Sequence, residues 1–140
     1  MKVLIISDGH GNVNNLDLIA PVARECDLVL FAGDFTEFGK PQTALPFLQK
    51  LKTLKDSIFT VLGNCDENFL LEETDKAGLS VDGKVRKFGE LSITGSGGGS
   101  FFTGTTPSIV LWHGRQAAGH SQCTLTTTEA ISTIAVQRCS

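Results

Sequence analysis

The sequence predicts an α/β fold in which a parallel sheet is followed by a second, antiparallel one. Two observations carry this. Over the first 66 residues, short β-branched apolar runs alternate with helical patterns, and each run stops at a loop that pairs glycine with aspartate or asparagine, the rhythm of parallel strands joined by helices. After Asp66 the rhythm changes to short strands punctuated by Asp-Gly and Gly-Glu dipeptides, which are hairpin turn chemistry. At 140 residues and 41% hydrophobic, the chain is expected to fold as a single domain spanning 1–140.

Residues 2–7 (KVLIIS) form an apolar run ending at Asp8-Gly9-His10-Gly11, which predicts a buried parallel strand. A helix follows, capped by Asn14 or Asn15, with Leu16, Ile19, Ala20 and Ala23 on its apolar face and a kink or early stop at Pro21. The second strand covers 27–32 and ends at Gly33-Asp34. A second helix fits 43–55, with Thr43 as cap, Pro46 in the first turn, and Leu45, Leu48, Leu51 and Leu54 as its apolar side. The third strand, 58–62, ends at Gly63-Asn64-Cys65-Asp66, and a third helix over 67–77 stops at Gly78. Tight turns at 81–84 and 88–91 bracket two antiparallel strands, 84–88 and 91–95, giving a mixed two-sheet sandwich. The glycine stretch 95–99 lacks the Lys-Ser/Thr ending of a phosphate loop and reads as a flexible loop at the sandwich rim.

A formal charge of −3 and a pI near 5.5 give no electrostatic basis for nucleic-acid or anionic-membrane binding. The apolar run at the amino terminus is too short for a signal peptide or a span, so a cytoplasmic location is expected. Cys26, Cys65, Cys123 and Cys139 form no C-x-x-C pair, which favours reduced thiols.

In open parallel sheets the ligand site lies beyond the carboxyl ends of the strands, where the first three loops gather. Asp8 and His10, one residue apart in a turn, can converge a carboxylate and an imidazole on one cation. Asp34, at the equivalent end of the second strand, has two oxygens and can bridge two metals about 3.5–4 Å apart. Asn64 offers a neutral carbonyl oxygen to the second metal. A single such turn is ordinary loop chemistry; three in register after successive strands point to a phosphoesterase-type site.

These residues resemble the ordered motifs of the calcineurin-like metallophosphoesterase superfamily: D-x-H as Asp8-Gly9-His10, G-D as Gly33-Asp34, and G-N-[HC]-[DE] as Gly63-Asn64-Cys65-Asp66. The Gly-Asn-Cys-Asp form and the glycine-rich stretch are similar to the small prokaryotic phosphodiesterase branch, over about residues 1–107. The resemblance implies an α/β/β/α sandwich. It also implies two divalent metal ions, drawn from Mn, Fe, Ni, Zn or Mg with Mn first because the ligands are oxygen-rich. Asp8, His10 and Asp34 would hold one metal, and Asp34 and Asn64 the other. The implied reaction is hydrolysis of a phosphomonoester or phosphodiester by a metal-activated water. Asn64, Cys65 and Asp66 form the catalytic stretch, with Cys65 where many relatives carry a histidine that protonates the leaving group or steadies phosphoryl oxygens. A thiol is a poor substitute there, so substrates with better leaving groups are favoured. Packing under the loop would equally explain Cys65, and helix capping or orientation of Asn64 would explain Asp66.

The family pattern continues with a histidine before glycine and then G-H-x-H, some tens of residues later. His113-Gly114 matches the first and Gly119-His120-Ser121-Gln122 half of the second, at far too short a spacing. Residues 108–140 also break in composition, with Arg115, Glu129 and Arg138 as their charged residues. Two explanations follow. Either His113 and His120 are ligands on a shortened loop, or the reading frame shifts near Pro107 and they match by chance, which the joint failure of spacing and composition favours. A second sheet short of strands would present an open edge and invite homo-oligomers. The alternative function is a catalytically weak or inactive phosphoesterase-like scaffold that binds metal or protein partners.

Overall fold

The structure, a computed structural model, describes residues 1–98 in full, the backbone of the strands at 108–113, 123–126 and 135–138, and the side chains of 109–111. The elements run β1 (Lys2–Ile6), α1 (Val13–Glu25), β2 (Leu28–Phe31), a 3₁₀ turn (Pro41–Thr43), α2 (Ala44–Lys52), β3 (Ile58–Thr60), α3 (Phe69–Lys76), β4 (Arg86–Phe88), β5 (Leu91–Ser96), β6 (Ser108–His113), β7 (Cys123–Thr126) and β8 (Ala135–Arg138). The first sheet has the order β3-β2-β1-β8, parallel except for β8, and the second the order β4-β5-β6-β7, antiparallel throughout.

The unbroken apolar run of β1 is explained by burial on both faces. Leu4 and Ile6, with Val29 and Phe31 of β2, meet Leu16 and Ala23 of α1, Phe47 and Leu51 of α2, and Leu70 of α3. The alternate residues Val3, Ile5, Leu28 and Leu30 meet Leu91, Ile93, Ile109 and Leu111 of the second sheet. The first sheet is therefore sandwiched between helices and a second sheet. All three helices among the described residues pack on the first sheet, so the outer helical layer of the expected α/β/β/α arrangement is not among them. Each fully buried Leu, Ile or Phe contributes about 1.5–3 kcal/mol. Phe31, Phe35 and Phe47 form a triad with centroids 4.5, 5.4 and 6.0 Å apart, directly beneath the loops that follow β1 and β2.

Several elements differ from expectation, each for a local reason. The cap of α1 is Asn12, whose side chain accepts from the Asn15 N–H, rather than Asn14 or Asn15. Pro21 neither stops the helix nor shortens it, because it lies on the exposed side, where the Asp17 carbonyl it leaves without an N–H donor can be hydrated. Thr43 makes no side-chain cap bond to α2; its hydroxyl accepts from Glu37 N at 3.0 Å and donates to Lys40 O at 2.8 Å. The turn at 81–84 is not a hairpin. Ser80 bridges Thr60 in the first sheet and Asp82 bridges Gly95 in the second, so the segment crosses between sheets. The 88–91 turn is the expected hairpin, with Phe88 opposite Leu91 and Gly89 at φ +57°. Among the described residues no helix is long and apolar enough to cross a membrane.

Candidate functional site

The loops after β1, β2 and β3 meet at the carboxyl edge of the parallel strands. The first loop is zipped to the second by backbone bonds from Asp8 N to Gly33 O (3.1 Å), His10 N to Asp34 O (2.8 Å) and Gly11 N to Phe35 O (2.8 Å). Among the described residues, the non-glycine positions with left-handed φ are Asp8 (58°), His10 (43°) and Asp34 (62°). These are three of the six residues named as candidate metal ligands. Asp and His tolerate this region better than most residues, but it is still sparsely populated and clusters at functional sites.

The adjacent glycines are sterically required. A Cβ on Gly63 would lie 2.0 Å from Asp34 Oδ1, one on Gly33 2.3 Å from Gly63 N, and one on Gly9 2.2 Å from Cζ of Phe47. The Gly-Asp and Gly-Asn motifs thus let two loop backbones touch, while Gly9 rests on the aromatic triad.

His10, Asp34 and Cys65 bring an imidazole nitrogen, a carboxylate oxygen and a thiol sulfur within 4.8 Å of one another. Asp8 stands beside them, its Oδ1 3.8 Å from His10 Nε2 and its Oδ2 accepting from the Ser7 hydroxyl. His10 Nδ1 lies 3.4 Å from the Thr36 carbonyl; an Nδ1–H directed there leaves the Nε2 lone pair for a cation. Asp34 Oδ1 accepts the Cys65 N–H at 3.0 Å. Asn64 is exposed beside them, its Nδ2 3.6 Å from Cys65 Sγ. Nitrogen, oxygen and sulfur donors converging over a cradle that a Cβ on Gly63 would fill fit a divalent cation.

Burial pushes the Asp34 carboxyl above the ordinary carboxylate range; the Cys65 N–H and His10 oppose this, and Asp66 and Asp8 reinforce it. The Cys65 thiol is pushed up to about 11, first by burial and then by the carboxylates of Asp34, Asp66 and Asp8. Without a cation, the cluster holds more negative charge than its surroundings favour.

Asp66 does not cap α3, which starts at Phe69 behind Asn68. Its carboxylate accepts three backbone N–H groups: Gly63 at 2.8 Å, Asp34 at 2.9 Å and Thr36 at 3.0 Å. It ties the second loop to the third. Thr36 was not foreseen from sequence. It is 2% exposed, supplies the carbonyl facing His10, and its hydroxyl has no partner among the described residues. No sequence signal marks a residue that acts through its backbone. The glycine stretch is pinned rather than free as far as Gly98, with Gly97 N on Asp82 Oδ1 (3.0 Å) and Gly98 N on Leu62 O (2.9 Å).

Of the two tail histidines, the structure describes the backbone of His113 alone, and it stands away from this cluster. His113 ends β6 opposite Leu91. The Ser96 end of β5 leads to Gly97 and Gly98 beside Leu62, whereas Leu91 is five residues away, roughly 17 Å along the strand. His120 lies outside the described residues, as do Gly99, the side chains of Cys123 and Cys139, and the point near Pro107 where a frame shift is expected.

A profile of the calcineurin-like phosphoesterase superfamily domain matches residues 1–136. An uncharacterised protein of Methanocaldococcus jannaschii is 32% identical over 114 residues, covering 77% of this chain and 48% of that protein. The chain thus spans about half the length of this curated relative. No solved structure matches.

Proposed function

Because this chain belongs to the calcineurin-like phosphoesterase superfamily, whose shared chemistry is metal-dependent hydrolysis of phosphate esters, we propose that it hydrolyses a phosphomonoester or phosphodiester at a binuclear centre. Asp8, His10 and Asp34 hold one divalent cation, and Asp34 and Asn64 the other. One observation carries the reading: three loops from consecutive parallel strands converge, with Asp8, His10 and Asp34 all in left-handed conformation and the His10, Asp34 and Cys65 donors within 4.8 Å.

Cations held there would supply Lewis acidity toward the phosphoryl oxygens and acidify a water molecule near neutral pH. The chain's own residues do the rest. Thr36 orients His10 through its carbonyl, Asp66 fixes the backbones of Asp34 and Gly63, and Phe47 supports the first loop under Gly9. Cys65 offers a thiol rather than an imidazole, a poorer proton donor to a leaving alkoxide at neutral pH. Esters whose leaving groups need no protonation, such as aryl phosphodiesters, are therefore the better substrates.

The test is to load the full chain with manganese and, in parallel, with zinc, count bound metal, and follow release of nitrophenolate from a bis-nitrophenyl phosphodiester. Two metals per chain and hydrolysis that disappears in Asp34→Asn are expected. Unchanged metal content and turnover in Asp34→Asn would refute the assignment. A second reading, a metal-binding scaffold with little turnover, is favoured by the placement of His113 at the far end of β6. Normal metal content without hydrolysis would select it.

A further inference from the structure

The oxygen-rich set Asp8, Asp34 and Asn64 suits hard cations such as manganese or magnesium. The cluster that the fold assembles is softer. Its third donor is the sulfur of Cys65, within 4.8 Å of a His10 ring nitrogen and an Asp34 carboxylate oxygen. We propose that Cys65 is itself a metal ligand, completing with His10 and Asp34 a mixed nitrogen, oxygen and sulfur site that selects zinc, cobalt or iron(II) over manganese and magnesium. This rests on the metal-site reading above and changes which metal that site takes.

Three features support it. Around a tetrahedral cation, with metal–sulfur near 2.3 Å and metal–nitrogen or –oxygen near 2.0–2.2 Å, donors stand roughly 3.4–3.7 Å apart. The three donors already lie within 4.8 Å, so closing on a cation takes a shift of about an ångström, within the reach of a side-chain rotation. The backbone N–H of Cys65 is bonded to Asp34 Oδ1 at 3.0 Å, which locks the residue's position relative to a second ligand. The Asn64 amide, 3.6 Å from Sγ, is placed to donate to a metal-bound thiolate, the kind of outer contact that steadies such ligands. On binding, the Sγ–H bond breaks, its proton passes to solvent, and the sulfur lone pair forms the metal bond.

Cobalt(II) is the probe. In the full-length wild type it should give both visible d–d bands and a near-ultraviolet sulfur-to-cobalt charge-transfer band. Cys65→Ser should lose the charge-transfer band and keep the d–d bands, since His10 and Asp34 remain. Site-resolved alkylation of the wild type gives an independent measure that needs no variant: zinc should protect Cys65 while leaving Cys26 unchanged. The proposal is overturned if d–d bands appear without charge transfer, if Cys65→Ser retains the charge-transfer band, or if zinc fails to protect Cys65; metal binding at the loops would still stand. Absence of any cobalt uptake would overturn both this proposal and the metal-site reading.

Discussion

Replacing Asp66 by alanine should damage the site severely while replacing none of its candidate metal ligands. The carboxylate accepts N–H groups from Gly63, Asp34 and Thr36 at 2.8, 2.9 and 3.0 Å. Hydrogen bonds to a charged acceptor are worth about 1.5–3 kcal/mol each. Gly63 is buried and Thr36 is 2% exposed, so their N–H groups cannot simply be rehydrated. Water can reach the more open Asp34 side. The net loss should then be about 3–5 kcal/mol, a large share of the 5–15 kcal/mol typical of a domain. Asp66→Asn keeps one carbonyl acceptor and should lose about 1.5–3 kcal/mol. Urea unfolding of the metal-free chain measures both, with Glu67→Ala at the exposed neighbouring position as the control. If Asp66→Ala unfolds within about 1 kcal/mol of the wild type, or no differently from Glu67→Ala, the carboxylate does not hold the loops together.

Gly63→Ala should destabilise the chain by about 1–3 kcal/mol and weaken metal binding, because the new methyl would sit 2.0 Å from Asp34 Oδ1. Gly39→Ala, with open space around it, should cost only its left-handed strain and spare the metal; equal metal loss in both would refute the steric argument. Phe47→Ala should cost about 3–5 kcal/mol and loosen the first loop, read as faster amide exchange at Gly9 through Gly11. In the metal-free chain, Cys65 should reach half-maximal alkylation near pH 11 rather than near the ordinary 9.0. The sign follows from its environment: burial and neighbouring carboxylates favour the neutral thiol, so thiolate is scarcer at any pH below that point. A profile centred near the ordinary value would contradict the packing around the sulfur.

Strands buried on both faces, such as β1 and β2, write an uninterrupted apolar run, and that is why the parallel sheet and its three terminal loops were legible in the sequence. Asp8, His10 and Asp34 were legible for the same reason, since each sits at a strand end that the topology brings to one edge. What was not legible depends on contacts between segments far apart in the chain. The role of Asp66 arises because the third loop lies against the second, bonding residues 30 and 32 positions away; a short-range reading sees only a helix cap. The segment around 81–84 has the composition of a hairpin turn, yet its flanking residues bridge different sheets. The tail showed an apolar run at 109–112 but nothing of its pairing, in which β6 and β7 extend the second sheet and β8 pairs with β1.

The left-handed residues and the stapled loops describe one mechanical arrangement. A non-glycine residue in the left-handed region costs about 1–2 kcal/mol, less for aspartate, so two in the first loop and one in the second would not persist if the loops were isolated. Here Asp8 N and His10 N are bonded to the second loop, Asp34 N is bonded to Asp66, and Gly9 rests on Phe47. Each strained backbone is thus held by a partner outside its own segment. The strain is offset by tertiary hydrogen bonds and aromatic packing. The same contacts hold the loops whose donor atoms, from His10, Asp34 and Cys65, lie within 4.8 Å of one another.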